Sequence, residues 1–133
     1  MVETLETATQ WSKLLRLHGE VGGAIARALH ACATPGLVMC HVSHLYETGA
    51  SLYFTFLASQ REQDPLGQWR TVKEAASRAI VEGGGTITHH HSIGRDHLRW
   101  VEREVGGLSL SALRAVKREL DPHAIMNPGK LLG

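Results

Sequence analysis

Three consecutive imidazoles, His89, His90 and His91, stand inside the stretch Gly83 to His97, GGGTITHHHSIGRDH. Imidazole titrates near neutrality and is the commonest metal ligand. The chain holds nine His in 133 residues, all scattered or interior, which is not the pattern of a terminal tag. If the triplet ends a strand, His89 and His91 share one face and His90 takes the other. Crowded imidazoles disfavour simultaneous protonation, because like charges repel, so one of them stays ready to accept a proton. Gly94 lets the chain turn sharply after the cluster. The same triplet also reads as a hydrogen-bonded structural patch or as a place for a metal.

Other residues carry chemistry less directly. Arg95 follows the triplet and suits bidentate binding of a phosphate or carboxylate, though a solvated helix start reads the same way. His41 and His44 lie three apart on an expected strand, point to opposite faces and make a poor metal pair, so no metal ligand set is read here. Trp11, Trp69 and Trp100 read as packing residues. Cys32 and Cys40 are two lone thiols with no C-x-x-C pair, expected reduced and buried.

The elements that must position these groups follow from periodicity. Val2 to Ala8 is Thr-rich and reads as a short strand. From Trp11 the spacing of Leu14, Leu17, Val21, Ile25 and Leu29 predicts a helix with one apolar face. Thr9 is its expected cap. Gly22 and Gly23 weaken the helix interior and hint at close packing against another backbone. Thr34-Pro35-Gly36 ends it. Leu37 to Tyr46 and Ala50 to Ser59 read as two strands joined at Glu47-Thr48-Gly49, an antiparallel hairpin. Asp64 and Pro65 open a second helix whose stripe is Leu66, Trp69, Val72, Ala76 and Ile80. Gly83 to Gly85 closes it, and Thr86 to His90 reads as a fourth strand. Helices at 95–105 and 109–120 follow, with Leu110, Leu113, Val116 and Leu120 facing inward. The tail from Asp121 is irregular. The order predicts an α+β fold, a ferredoxin-like split β-α-β antiparallel sheet with additional carboxy-terminal helices. One sheet face would carry Tyr and His, which suits a ligand or a partner domain.

Composition sets bounds. The length fits one compact domain, with 43% apolar and 20% charged residues. A net charge of +1 gives no electrostatic case for nucleic acid or an anionic membrane. No stretch approaches the roughly 20 apolar residues of a membrane span. No targeting segment is visible. Nothing resembles a glycine-rich pyrophosphate loop, because the GGGT run follows a helix and does not open one.

LETATQW, HVSHLYETGASLYFTF, GGGTITHHHSIGRDH and LDPHAIMNPGKLLG together cover nearly the whole chain. In these stretches it resembles the carboxy-terminal, substrate-side (cap) domain of the FAD-linked oxidase family, the vanillyl-alcohol oxidase-like enzymes. Within the family it is most similar to the alkyldihydroxyacetonephosphate synthase branch. The related 2-hydroxyacid dehydrogenases usually show Glu-His-Gly at the triplet. His90 stands in place of that Glu, and Ser92 departs from the common Gly. The resemblance implies exchange of the acyl chain of acyl-dihydroxyacetone phosphate for a fatty alcohol, the ether bond of ether lipids, with no net redox change. It implies FAD held mainly by a separate amino-terminal domain absent from this chain. The chain alone is then expected to be inactive, to hold no FAD tightly and to self-associate through uncovered apolar surface. The matching catalytic residues are Tyr53 with His89, His90 and His91. Arg95 is the expected substrate contact, and Asn127, in the closing Asn127-Pro128-Gly129-Lys130 segment, the expected cofactor contact. The location would be cytoplasmic in a bacterium and peroxisomal in a eukaryote. Two alternatives stay open: a fragment of a flavin-dependent 2-hydroxyacid dehydrogenase, or an independent ferredoxin-like module whose His cluster holds a metal.

Overall fold

The computed structural model describes residues 1–132. They divide into two units, Met1–His91 and the described residues from Ser92 onward.

The first unit is built on a three-stranded antiparallel sheet. Its strands are β1 (Val2–Gln10), β2 (Gly36–Leu45) and β3 (Gly49–Ala58), in the order β1-β3-β2. Helix α1 (Trp11–Ala31) joins β1 to β2, and α2 (Pro65–Glu82) follows β3. This is the ferredoxin-like β-α-β path, with a small antiparallel sheet and flanking helices in an α+β fold. Alternation decides the faces: Leu52, Phe54 and Phe56 point inward with Leu5 of β1 and are almost wholly buried. Against them pack Leu17, Val21, Ile25 and Leu29 of α1 and Val72, Ala76 and Ile80 of α2, one continuous core.

Local details depart from expectation where backbone geometry intervenes. Thr9 does not cap α1; Gln10 holds that position without a side-chain bond, and the Thr9 hydroxyl donates to the Gly84 carbonyl. The helix start is pinned instead by the Trp11 indole, which donates to the Tyr46 and Glu47 carbonyls of the β2–β3 turn. Gly22 and Gly23 touch no foreign backbone: a Cβ on Gly22 would meet only the Phe54 ring at 3.8 Å. In α2 the Asp64 cap forms as expected, accepting from Gly67 N at 2.9 Å. Leu66, assigned to the buried stripe, is 64% exposed. Gln68 takes that inner position, and its amide is satisfied by Arg61 N, Thr34 Oγ1 and the Ser59 carbonyl.

Thr86 to His90 forms no strand. Thr86 N donates to the Ala8 carbonyl, and the Thr7 hydroxyl to the Thr86 carbonyl, so the segment runs beside β1 without becoming a strand of the sheet.

The second unit holds α3 (Leu98–Val105) and α4 (Gly107–Leu120), separated by Gly106 at φ 81°. Of the four residues expected to face inward, only Leu110 is buried; Leu113, Val116 and Leu120 are exposed. The latter three, with Met126 and Leu131, line an open hollow of about 490 Å³. No helix among the described residues is long and apolar enough to cross a membrane.

Candidate functional site

The sheet face turned away from the core carries the chemistry. Tyr53 alternates outward between Leu52 and Phe54, and its cross-strand neighbours are Glu6 on β1 and His41 on β2. The His41 ring stacks on Tyr53 with centroids 5.2 Å apart, and His91 meets the same phenol edge-on at 5.4 Å.

Glu6 sits at the centre of this face, 2% exposed. The Ser43 hydroxyl donates to its Oε1 at 2.6 Å, and Ser51 Oγ lies 2.6 Å from Ser43 Oγ. Four imidazoles surround the carboxylate. His44 Nδ1 and His89 Nδ1 each lie 3.4 Å from Oε1, His90 Nδ1 lies 2.6 Å from Oε2, and His91 Nε2 lies 3.7 Å from Oε2. Burial pushes the Glu6 carboxyl up. The hydrogen bonds from Ser43 and Ser51 and the charge of His90 and His89 outweigh it, so the net displacement is downward. The Tyr46 hydroxyl lies 2.9 Å from His89 Nε2.

Two backbone features build this cluster, and both run against simple strand parity. A register shift between Val42 and Leu45 turns Ser43 and His44 toward Glu6, on the side His41 also occupies. His44 is therefore part of the site, where strict alternation sends it to the far face from His41. Likewise, the triplet does not split two-and-one: with no strand at 89–91, all three rings turn to one carboxylate.

Tyr53, His89, His90 and His91 are thus brought together in the first unit, beside Glu6, His44 and Ser43. Sequence reasoning passed over Glu6, Ser43 and Ser51; the one available signal was a carboxylate at an outward position of β1, which means something only once the β1–β3 register is known. Arg95 and Asn127 belong to the second unit. Arg95 is exposed, and its Nε lies 3.8 Å from where a Cβ on Gly129 would stand. Asn127 adopts φ 50°, and its carbonyl accepts from Lys130 N. Both cysteines are free, Cys32 buried and Cys40 half-buried, and burial pushes the Cys40 thiol up to about 11.

The fold and this face define an α+β domain that presents one polar, imidazole-rich surface. The family model described as FAD linked oxidases, C-terminal domain, matches residues 1–131, and the chain belongs to that family. It is related to alkyldihydroxyacetonephosphate synthase. The synthase of Trypanosoma brucei brucei is 33% identical over 130 residues, which is 98% of this chain and 21% of that protein. The Caenorhabditis elegans synthase is 32% identical over 133 residues, 98% of this chain and 22% of that protein. The mitochondrial D-lactate dehydrogenase (cytochrome) of Arabidopsis thaliana is 42% identical over 48 residues, 36% of this chain and 8% of that protein. A solved structure of alkyldihydroxyacetonephosphate synthase superposes with a TM-score of 0.65 at 24% identity, covering 96% of this chain and 20% of that one, a likeness of fold. The chain spans about a fifth of the length of the synthases it matches.

Proposed function

We propose that this chain is the substrate-side part of an FAD-dependent enzyme that exchanges the acyl chain of acyl-dihydroxyacetone phosphate for a fatty alcohol. The reading is carried by one observation: Tyr53 stands edge-on to His91 at 5.4 Å on an open sheet face. In the exchange a fatty acid leaves as its C–O bond breaks. The alcohol oxygen forms the ether bond and loses its proton, so atoms and electrons balance without an outside oxidant. The donor set fits the reacting end of a flavin and not its phosphates: a phenol and several imidazoles offer proton donors and acceptors, while Gly83 to Gly85 closes α2 and does not open a helix. FAD, when bound, supplies a ring that accepts and returns an electron pair. Tyr53 holds or gives a proton at its hydroxyl, and His89, His90 and His91 take it up. Arg95 binds the substrate phosphate through two guanidinium N–H groups, and Asn127 approaches the cofactor. The amino-terminal flavin part is the partner that covers the outer face. Left uncovered, the chain associates with itself.

The test grafts this chain in place of the matching fifth of the Trypanosoma synthase and supplies labelled fatty alcohol. Incorporation of label into alkyl-dihydroxyacetone phosphate supports the reading. An FAD-loaded graft that instead reduces an electron acceptor with a 2-hydroxy acid moves the assignment to the dehydrogenase reading, which the short D-lactate dehydrogenase match favours.

A further inference from the structure

We infer that Glu6, His44, His89 and His90 form a binding site for a zinc-class divalent ion. The inference goes beyond the proposed exchange and does not rest on it. Each of the four offers one ligand atom, and these atoms all lie within 4.8 Å of one another. The three imidazoles all present Nδ1. His44 and His89 stand 3.4 Å from Glu6 Oε1, and His89 and His90 stand 3.2 Å from each other. Zinc binds imidazole nitrogen and carboxylate oxygen at about 2.0–2.2 Å, so the edge of its tetrahedron is roughly 3.3 Å. These three spacings match that edge, while pairs that stand as far as 4.8 Å apart would close by up to about 1.5 Å on binding.

Hydrogen bonds join His44 Nδ1 to the Ser43 and Ser51 hydroxyls and His90 Nδ1 to His89 Nδ1, but this network leaves one Glu6 oxygen unmet. Glu6 Oε2 is buried and has no hydrogen-bond partner, although His90 Nδ1 lies only 2.6 Å away. Two basic atoms this close without hydrogen-bond geometry repel each other unless a cation binds both, and binding one zinc-class ion parts them by roughly 0.7 Å to the tetrahedral edge. A cation there satisfies the oxygen and both lone pairs at once. The outer contacts suit the same arrangement. A proton on His89 Nε2 donated to the Tyr46 hydroxyl leaves Nδ1 bare for the ion, and the Ser43 hydroxyl orients the carboxylate. His44 and His90 are exposed, which leaves an entry path. Three nitrogens and one carboxylate favour zinc and its first-row neighbours over magnesium or calcium, which prefer oxygen sets. His91 and Tyr53 stay outside the ligand set, so with the ion bound His91 alone of the triplet is left to take up the Tyr53 proton.

The test is a Zn²⁺ titration of the chelator-stripped chain and of the grafted enzyme, with Co²⁺ absorption reporting coordination geometry and circular dichroism monitoring fold. One equivalent is expected, with a tetrahedral Co²⁺ spectrum and no competition from Mg²⁺. Glu6→Gln and His44→Ala should each weaken Zn²⁺ about tenfold or more. His44 is exposed, so its variant keeps the fold and carries the test if Glu6→Gln does not. His41→Ala, on the same face but outside the set, should leave affinity unchanged. No stoichiometric uptake in either protein, or undiminished affinity in folded His44→Ala, overturns the site. Uptake is read without substrate, so its failure leaves the exchange reading standing, and failure of exchange leaves the metal site standing.

Discussion

Glu6 holds the polar face together. A buried carboxylate is tolerated only where hydrogen bonds and opposite charge replace water, and here Ser43 and the imidazoles do so. Glu6→Ala should therefore cost about 1–3 kcal/mol, the usual penalty for leaving buried polar partners unmatched, read as a lower urea midpoint. Substitution at glycine separates two cases. A Cβ on Gly22 meets open packing in a helix interior, so Gly22→Ala should stabilise by up to about 1 kcal/mol. A Cβ on Gly49 would stand 2.1 Å from the Thr9 carbonyl oxygen, so Gly49→Ala should destabilise by about 1–3 kcal/mol. Melting temperatures of the two variants should move in opposite directions. At this scale the sequence showed the imidazole triplet but not its organiser. Residue types announce chemistry, whereas the encounter of Glu6 with His89–His91 spans more than eighty residues and depends on β1 pairing with β3.

Among the elements, α1, α2 and the β2–β3 hairpin were legible, because each carries a strong local signal: a three-and-four spacing, an Asp-Pro start, a turn between apolar runs. The fourth strand was not. Thr86 to His90 has strand composition, but it forms no strand: Thr86 N bonds the Ala8 carbonyl, and Gly84 at φ 77° has already turned the chain. The bulge in β2 was equally hidden, since an extra residue leaves no mark in composition. In α4 the apolar spacing predicts a buried stripe, but Leu113, Val116 and Leu120 are exposed and border the open hollow. The end of α4 yields a pH prediction. The Lys117 ammonium beside Asp121 holds its carboxyl below the usual value; burial opposes this, and the Met126 and Ile125 amides add to the lowering. A depressed folded value means that this contribution is fully present above the ordinary 3.8 and is lost as pH falls through the lower folded value. Amide protection at Ile125 and Met126 should hold at pH 5 and disappear only in strong acid. In Asp121→Asn it should already be weaker at pH 5.

For the whole molecule, the first unit buries its core on the helix side of the sheet and leaves the outer face exposed, apolar residues included. Leu37, Met39 and Leu57 border the polar cluster there and are substantially exposed. Exposed apolar surface of this kind marks an interaction face. The isolated chain should self-associate in a concentration-dependent way by analytical ultracentrifugation, and grafting onto the flavin-binding part of a synthase should abolish this. A monodisperse monomer at high concentration would count against a covered face.

The most direct measurement is the exchange rate of the FAD-loaded graft carrying Tyr53→Phe, which removes one hydroxyl and leaves the ring in place. The proton-transfer role predicts a fall of about 10²–10⁴-fold in turnover, with FAD content and melting temperature unchanged. A Tyr53→Phe graft that turns over at the unmodified rate would contradict it.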